Sequence, residues 1–266
     1  MKIAISSSVS NFSQRLYEAW GLREYEPLSG DAYREVVFFG MYHPIDYAKF
    51  FLNRSDKSVL WLGSDIIQLR FPFTLLFKHI RASHYCENKV EQTALKRKGI
   101  KAIIRPIFCE RPDRYPISYK YSPNAHIYTT MHDNRENEYG LVSIKKLAQI
   151  FKTYIFHIYG VKGQNNQNII FHGNISEKQF DNEIKNYQCA LRLNKFDGFA
   201  DITAKSVLMG QYPITMIKYP HIWKADNLAQ VIKFLDKLRK MKEPNYKAAE
   251  YYRKNLNAFS WLIHNF

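Results

Sequence analysis

The chain has 266 residues, 46% hydrophobic and 15% aromatic, a globular composition that excludes a disordered chain. Its 39 Lys and Arg against 24 Asp and Glu leave a formal charge of +15. An excess of that kind costs self-repulsion and points to a polyanion as partner (DNA, RNA or an anionic membrane surface), with plain solubility as the alternative. No apolar run approaches the roughly 20 residues that span a bilayer, and a strand-like run begins at once, so a signal peptide is not expected.

In chain order, residues 2–5 read as a strand, 6–11 as a polar turn and the stretch to Trp20 as a helix. The apolar runs 36–40 and 58–62 read as buried strands, the first followed by a helix over 46–52 and the second by the turn Gly63-Ser-Asp65. Helices over 73–80 and 87–98 flank a short strand at 83–86, and a further strand falls at 101–105. Apolar, non-alternating strands separated by helices predict a parallel sheet covered on both faces. Residues 1–110 therefore form one Rossmann-like domain, and Pro106, Pro112, Pro116 and Pro123 mark a linker over 111–124.

The pattern then restarts. Strands are predicted at 125–130, 154–160, 168–173, 189–193 and 212–216, with helices over 142–151, 176–187, 201–209 and 227–240. A second Rossmann-like domain over 125–244 follows, then a helix over 245–263 that could cross back to the first domain. The fold class is α/β, two such domains facing a cleft, because open α/β sheets bind ligands beyond the carboxyl ends of their strands. Cys86, Cys109 and Cys189 are scattered without metal spacing and predict buried thiols in a reducing compartment. No Asp-x-Asp or His-x-x-x-His pattern appears, so neither a metal nor a cofactor is expected.

Four fragments of the second half stand in a telling order: Ile158-Tyr-Gly160, Phe171-His-Gly173, Asp197-Gly-Phe-Ala200 and Gly210-Gln-Tyr-Pro-Ile214. With Trp61-Leu-Gly-Ser-Asp65 in the first half, they resemble the GT-B glycosyltransferases, especially the retaining group, over most of residues 36–216. The phage DNA glucosyltransferases share this architecture. The resemblance implies a nucleotide-sugar donor, a UDP-sugar such as UDP-glucose, held by the second domain. It also implies a hydroxyl acceptor on the first.

Diphosphate needs amide donors and cations. The loop from Asp197 through Gly198 and Phe199 to Thr203 opens a helix and is expected to supply the amides, while Arg192, Lys195 and Arg135 are candidate cations. Arg192 pairing with a carboxylate and Arg135 as a solvated loop charge are the alternatives. Gly160 and Gly173 end strands near the expected cleft, or are plain turn glycines. Where the family carries a second Glu that bonds ribose, this chain has Lys205, which cannot accept a hydrogen bond and is expected to meet phosphate or a more acidic donor. Ser7 lies where the family's first loop approaches the donor phosphates. Asp65 is the candidate general base, or a helix cap. His43 is a second base candidate, a sugar contact or a structural histidine.

Basic residues crowd two regions. Arg81, Lys96, Arg97 and Lys98 stand in the first domain, and the last 34 residues carry eight more Lys and Arg among aromatics. The first set is expected to hold an anionic acceptor. Hydroxymethyl-pyrimidine in DNA is the favoured one, which would require base flipping; the alternative is a lipid-linked or polysaccharide acceptor at an anionic membrane. A non-catalytic nucleotide-sugar or nucleic-acid binding module is the remaining reading. The expected location is cytoplasmic, in a phage-infected cell or at the inner membrane face; oligomeric state is not legible.

Overall fold

A computed structural model describes residues 1–27 and 34–256. They form two compact units, Met1–Arg111 with Phe196–Phe199 and Leu256, and Pro112–Lys195 with Ala200–Asn255. In the first unit β1 (Lys2–Ile5) leads through a 3-10 turn (Ser7–Phe12) to α1 (Ser13–Trp20) and β2 (Arg23–Glu24). Then come β3 (Glu35–Phe39), α2 (Pro44–Leu52), β4 (Asp56–Leu60), α3 (Ser64–Gln68), α4 (Phe73–His79), β5 (Ser83–Cys86), α5 (Lys89–Arg97) and β6 (Ile103–Ile104). The strands form one parallel sheet in the order β2-β1-β3-β4-β5-β6.

Successive side chains of a strand point to opposite faces, and here both faces are dry. Val36 and Phe38 join a core with Val59, Trp61 and Cys86, while Val37 and Phe39 join another with Ile3, Leu60 and Tyr85. That is why these strands read as unbroken apolar runs. Asn88 starts α5 by accepting the amides of Val90 and Glu91 at 3.0 and 3.1 Å.

The second unit runs β7 (His126–Thr130), α6 (Leu141–Ile150), β8 (Ile155–Tyr159), β9 (Ile169–Gly173), α7 (Glu177–Ile184), β10 (Cys189–Arg192) and α8 (Asp201–Leu208). It closes with β11 (Ile214–Thr215), β12 (Trp223–Lys224), α9 (Leu228–Leu238) and α10 (Tyr246–Asn255). The sheet is again parallel, in the order β12-β11-β10-β7-β8-β9. Read from β9 this is 3-2-1-4-5-6, the doubly wound order, with its switch point between β7 and β10. In the first unit the order reverses between β1 and β3.

The two-residue edge strands β2 and β12 were not expected, and the strand expected at 101–105 shortens to two residues. Edge strands need few apolar residues, so they leave little signal. The last residues of the helix expected over 245–263 lie outside the described residues.

Candidate functional site

In the second unit the switch point is built by the last residues of β7 and β10. The Arg192 guanidinium donates to the Thr130 carbonyl at 3.3 Å and reaches its hydroxyl at 3.5 Å, so it bridges the two strand ends. It also lies 4.5 Å over the Tyr139 ring. Gly140 follows in the left-handed region at φ 83° and starts α6. A Cβ there would stand 3.0 Å from that of Leu193, so the start of α6 lies against the residue after Arg192. Asn194 comes next, 7% exposed, with its side-chain oxygen lacking a partner. A guanidinium and the positive end of a ten-residue helix thus meet where open α/β sheets take ligands.

Gly160 and Gly173 end β8 and β9 with φ of 85° and 66°. The Gly160 amide donates to the Gly173 carbonyl at 2.8 Å. A Cβ on Gly160 would meet the Met131 carbonyl oxygen at 2.2 Å, because the chain leaving β7 presses on it. Both the left-handed backbone and the missing space forbid a side chain. Gly160→Ala is expected to cost about 2–4 kcal/mol in denaturant unfolding, from strain and overpacking together. A cost under about 0.5 kcal/mol would show that the β7 loop yields freely.

Arg135 lies over the same Tyr139 ring as Arg192, at 5.7 Å. Arg135 is surface-exposed and holds Glu138 at 2.7 Å, and Lys195 is exposed. Thr203 is buried, and its amide donates to the Ala200 carbonyl at 2.8 Å. Lys205 is 1% exposed. Its ammonium bonds Asp181 at 2.8 Å and Glu177 at 3.1 Å and lies 3.5 Å from Asp201. These three carboxylates, all of this unit, surround the charge that was expected to meet phosphate.

Phe196–Phe199 packs within the first unit. The Gly198 amide donates to Asp197 Oδ1 at 3.0 Å, and Glu87 accepts the amides of Phe199 and Ile107. Asn88 Nδ2 donates to the Asp197 carbonyl at 2.7 Å. A Cβ on Gly198 would fall 1.8 Å from Glu87 Oε2, so a side chain there would have to displace that carboxyl. Of the amides expected to receive a diphosphate, those of Gly198 and Phe199 are held by carboxylates and that of Thr203 by a backbone carbonyl. Glu91 is fully buried, accepts the Glu87 amide at 2.7 Å and leaves Oε1 unpartnered. Burial first holds both glutamates above the usual carboxylate range; the charge of Glu87 then pushes Glu91 further up, and Asp197 and Asp65 push Glu87 up against its two amide bonds.

Asp65, the expected base, is fully buried at the start of α3. It accepts the amides of Ile66, Leu62 and Met41 at 2.8, 3.1 and 3.2 Å. Burial still pushes it up to about 7 against those three bonds. Its carboxyl shapes the turns after β3 and β4 rather than facing solvent. His43, before α2, is half-buried at the switch point of this unit, and its Nε2 lies 2.8 Å from Ser8 Oγ. Ser7 beside it is exposed. Asp46 orders this corner by accepting the Ser6 hydroxyl at 2.7 Å and the His43 amide at 2.9 Å.

Arg81 precedes β5, and Lys96, Arg97 and Lys98 end α5. Helices of a parallel sheet run against the strands, so all four gather at the amino-end edge, opposite His43 and the strand carboxyl ends. Sequence reading missed Thr130 and Tyr139; the signal it had was Gly140, a glycine opening an amphipathic helix right after a strand and loop.

No protein-family model and no curated protein sequence matches the chain. Solved structures do. TarM matches with a TM-score of 0.57 at 9% identity, over 84% of this chain and 51% of its own. The pneumococcal O-GlcNAc transferase GtfA, solved with UDP and GlcNAc, gives 0.56 at 10% over 87% and 56%. The lipopolysaccharide outer core galactosyltransferase WaaB gives 0.63 at 13% over 97% and 80%. The fold is GT-B. The chain spans about half the length of TarM and GtfA, whereas it spans most of WaaB. In GT-B terms the second unit corresponds to the lobe whose switch point was built above from Arg192 and the start of α6.

Proposed function

We propose that the chain is a nucleotide-sugar-dependent hexosyltransferase. The observation that carries this is Arg192 bridging β7 and β10 beside the start of α6. When the bond between the sugar C1 and the diphosphate oxygen breaks, negative charge grows on the leaving diphosphate. A guanidinium and a helix amino end stabilise such charge without a metal. UDP bound in GtfA supports a UDP-sugar as donor, UDP-glucose being the first to try. The acceptor hydroxyl attacks C1, and its proton passes to a base. His43 is the candidate base, since Asp65 is closed on backbone amides.

The +15 charge favours an acceptor on a polyanion. Hydroxymethyl-pyrimidine in DNA is one such acceptor. A lipid-linked or polysaccharide hydroxyl at an anionic membrane is the other, and exposed apolar side chains near the cations of α2 to α4 favour it. The test is a panel of nucleotide-sugars offered with hydroxymethylated DNA, unmodified DNA and lipid-linked acceptors, read by mass. Donor binding without transfer or hydrolysis would leave a binding module; no binding of any nucleotide-sugar would end the proposal. Arg192→Ala is expected to weaken UDP binding about 10- to 100-fold by titration calorimetry, the worth of a charge-assisted hydrogen bond, in protein that still unfolds cooperatively although the Thr130 bridge is lost. Equal affinity in variant and parent would place the phosphates elsewhere.

A further inference from the structure

We propose that the outer face of α2, α3 and α4 docks the protein on an anionic lipid surface. α2 and α4 lie side by side, with Tyr47 stacked on Phe73 at 4.1 Å and Phe50 against Phe77 at 5.1 Å. Those rings turn inward. Outward, Leu52 at the end of α2, Ile67 on α3 and Phe71 between α3 and α4 are 61%, 60% and 75% exposed, and Ile45 and Phe51 on α2 and Leu75 on α4 are exposed as well. Single exposed apolar residues are ordinary, but six between residues 45 and 75 are not.

The charge around them is one-sided. Between residues 40 and 82 the acids are Asp46, Asp56 and Asp65, and only Asp56 is exposed. Lys49, Arg54, Lys57, Arg70 and Arg81 stand exposed or half-buried over the same stretch. Arg81 joins Lys96 and Arg97, also exposed, at the amino-end edge of the sheet. Apolar side chains that enter an acyl layer, beside cations whose stems bury while their heads meet phosphate, match a bilayer with anionic headgroups. Nucleic-acid phosphates would use the cations and leave Leu52, Ile67 and Phe71 unexplained. A second copy on the same face would set these cations against their own kind. No helix among the described residues is long and apolar enough to cross a membrane, so the face would lie on the surface. Docking does not rest on transferase activity and is read without a donor.

The experiment is co-sedimentation of the whole protein with phosphatidylglycerol-rich and with phosphatidylcholine vesicles, across salt. Binding to the first and not the second, weakened by salt, is expected. Ile67→Asp with Phe71→Asp is expected to lower partitioning about tenfold or more, since it removes apolar insertion and adds repulsion. Arg70→Glu with Arg81→Glu leaves the apolar residues in place and is expected to weaken binding by a similar factor, which keeps the test intact if the first pair destabilises the fold. Failure to bind phosphatidylglycerol vesicles, binding that neither pair alters, or a dimer dissolved by Ile67→Asp in place of vesicle binding would each overturn the proposal.

Discussion

Lys205→Ala lowers the unfolding free energy of the protein by about 3 kcal/mol, with full loss of a buried partner worth about 3–5 kcal/mol. The ammonium is 1% exposed and meets Asp181, Glu177 and Asp201, and it lies 5.3 Å over the Tyr115 ring and 5.8 Å over that of Phe180. Removing it leaves three carboxylates converging on an empty, low-dielectric spot. Glu177 is 44% and Asp201 29% open, and water there softens the repulsion, so the low end of the range is expected. Lys205→Met fills the space and is expected to recover less than half of the loss, because charge and not volume is missing. Urea unfolding of the three proteins measures this. A loss under about 1 kcal/mol would mean that the carboxylates relax into solvent and that Lys205 does not anchor α8 to α7.

Raising the pH from 6 to 9 loosens the first unit, and Glu87→Gln blunts the effect. Asp65 is held up to about 7, and Glu87 and Glu91 above the usual carboxylate range, in each case first by burial. An acid whose folded pKa is raised contributes stability that is complete below its unfolded value and is lost as pH climbs through the folded one. The window therefore opens near the ordinary carboxylate range of about 4 and closes above 7. Titrating such a group in a dry site costs on the order of a few kcal/mol. Glutamine keeps an oxygen for the Phe199 and Ile107 amides while removing one ionisation beside Glu91. The measurement is denaturant unfolding at a series of pH values, followed by fluorescence of Trp61, which is fully buried in this unit. Parallel pH curves for parent and variant would falsify the assignment.

The sheets were legible because their strands are dry on both faces, so Glu35–Phe39 and Ile155–Tyr159 stand out as apolar runs. The GT-B resemblance carried by the glycine-ended strands holds for the fold. Side-chain partners were the illegible part. Lys205 looked like a vacancy in a motif, yet two of its three partners lie on α7, more than 20 residues back, and only Asp201 stands at the local i,i+4 spacing. The loop at Asp197 read as an amide donor, and its amides are donors; what no spacing revealed is that Glu87 accepts one of them from 112 residues earlier. The cations Lys96, Arg97 and Lys98 were read by charge alone, while the direction of α5 decides which edge of the sheet they face.

One consequence follows from Phe196–Phe199 belonging with Met1–Arg111. A polypeptide ending at Arg111 would lack the peptide that covers Glu87 and bonds Asn88, so two buried acids would lose their lid. Cutting this protein at its proline-rich linker should thus yield an amino-terminal fragment whose Glu87 and Glu91 meet water and fall back toward the usual carboxylate range. The two halves are separable as shapes but not as genes.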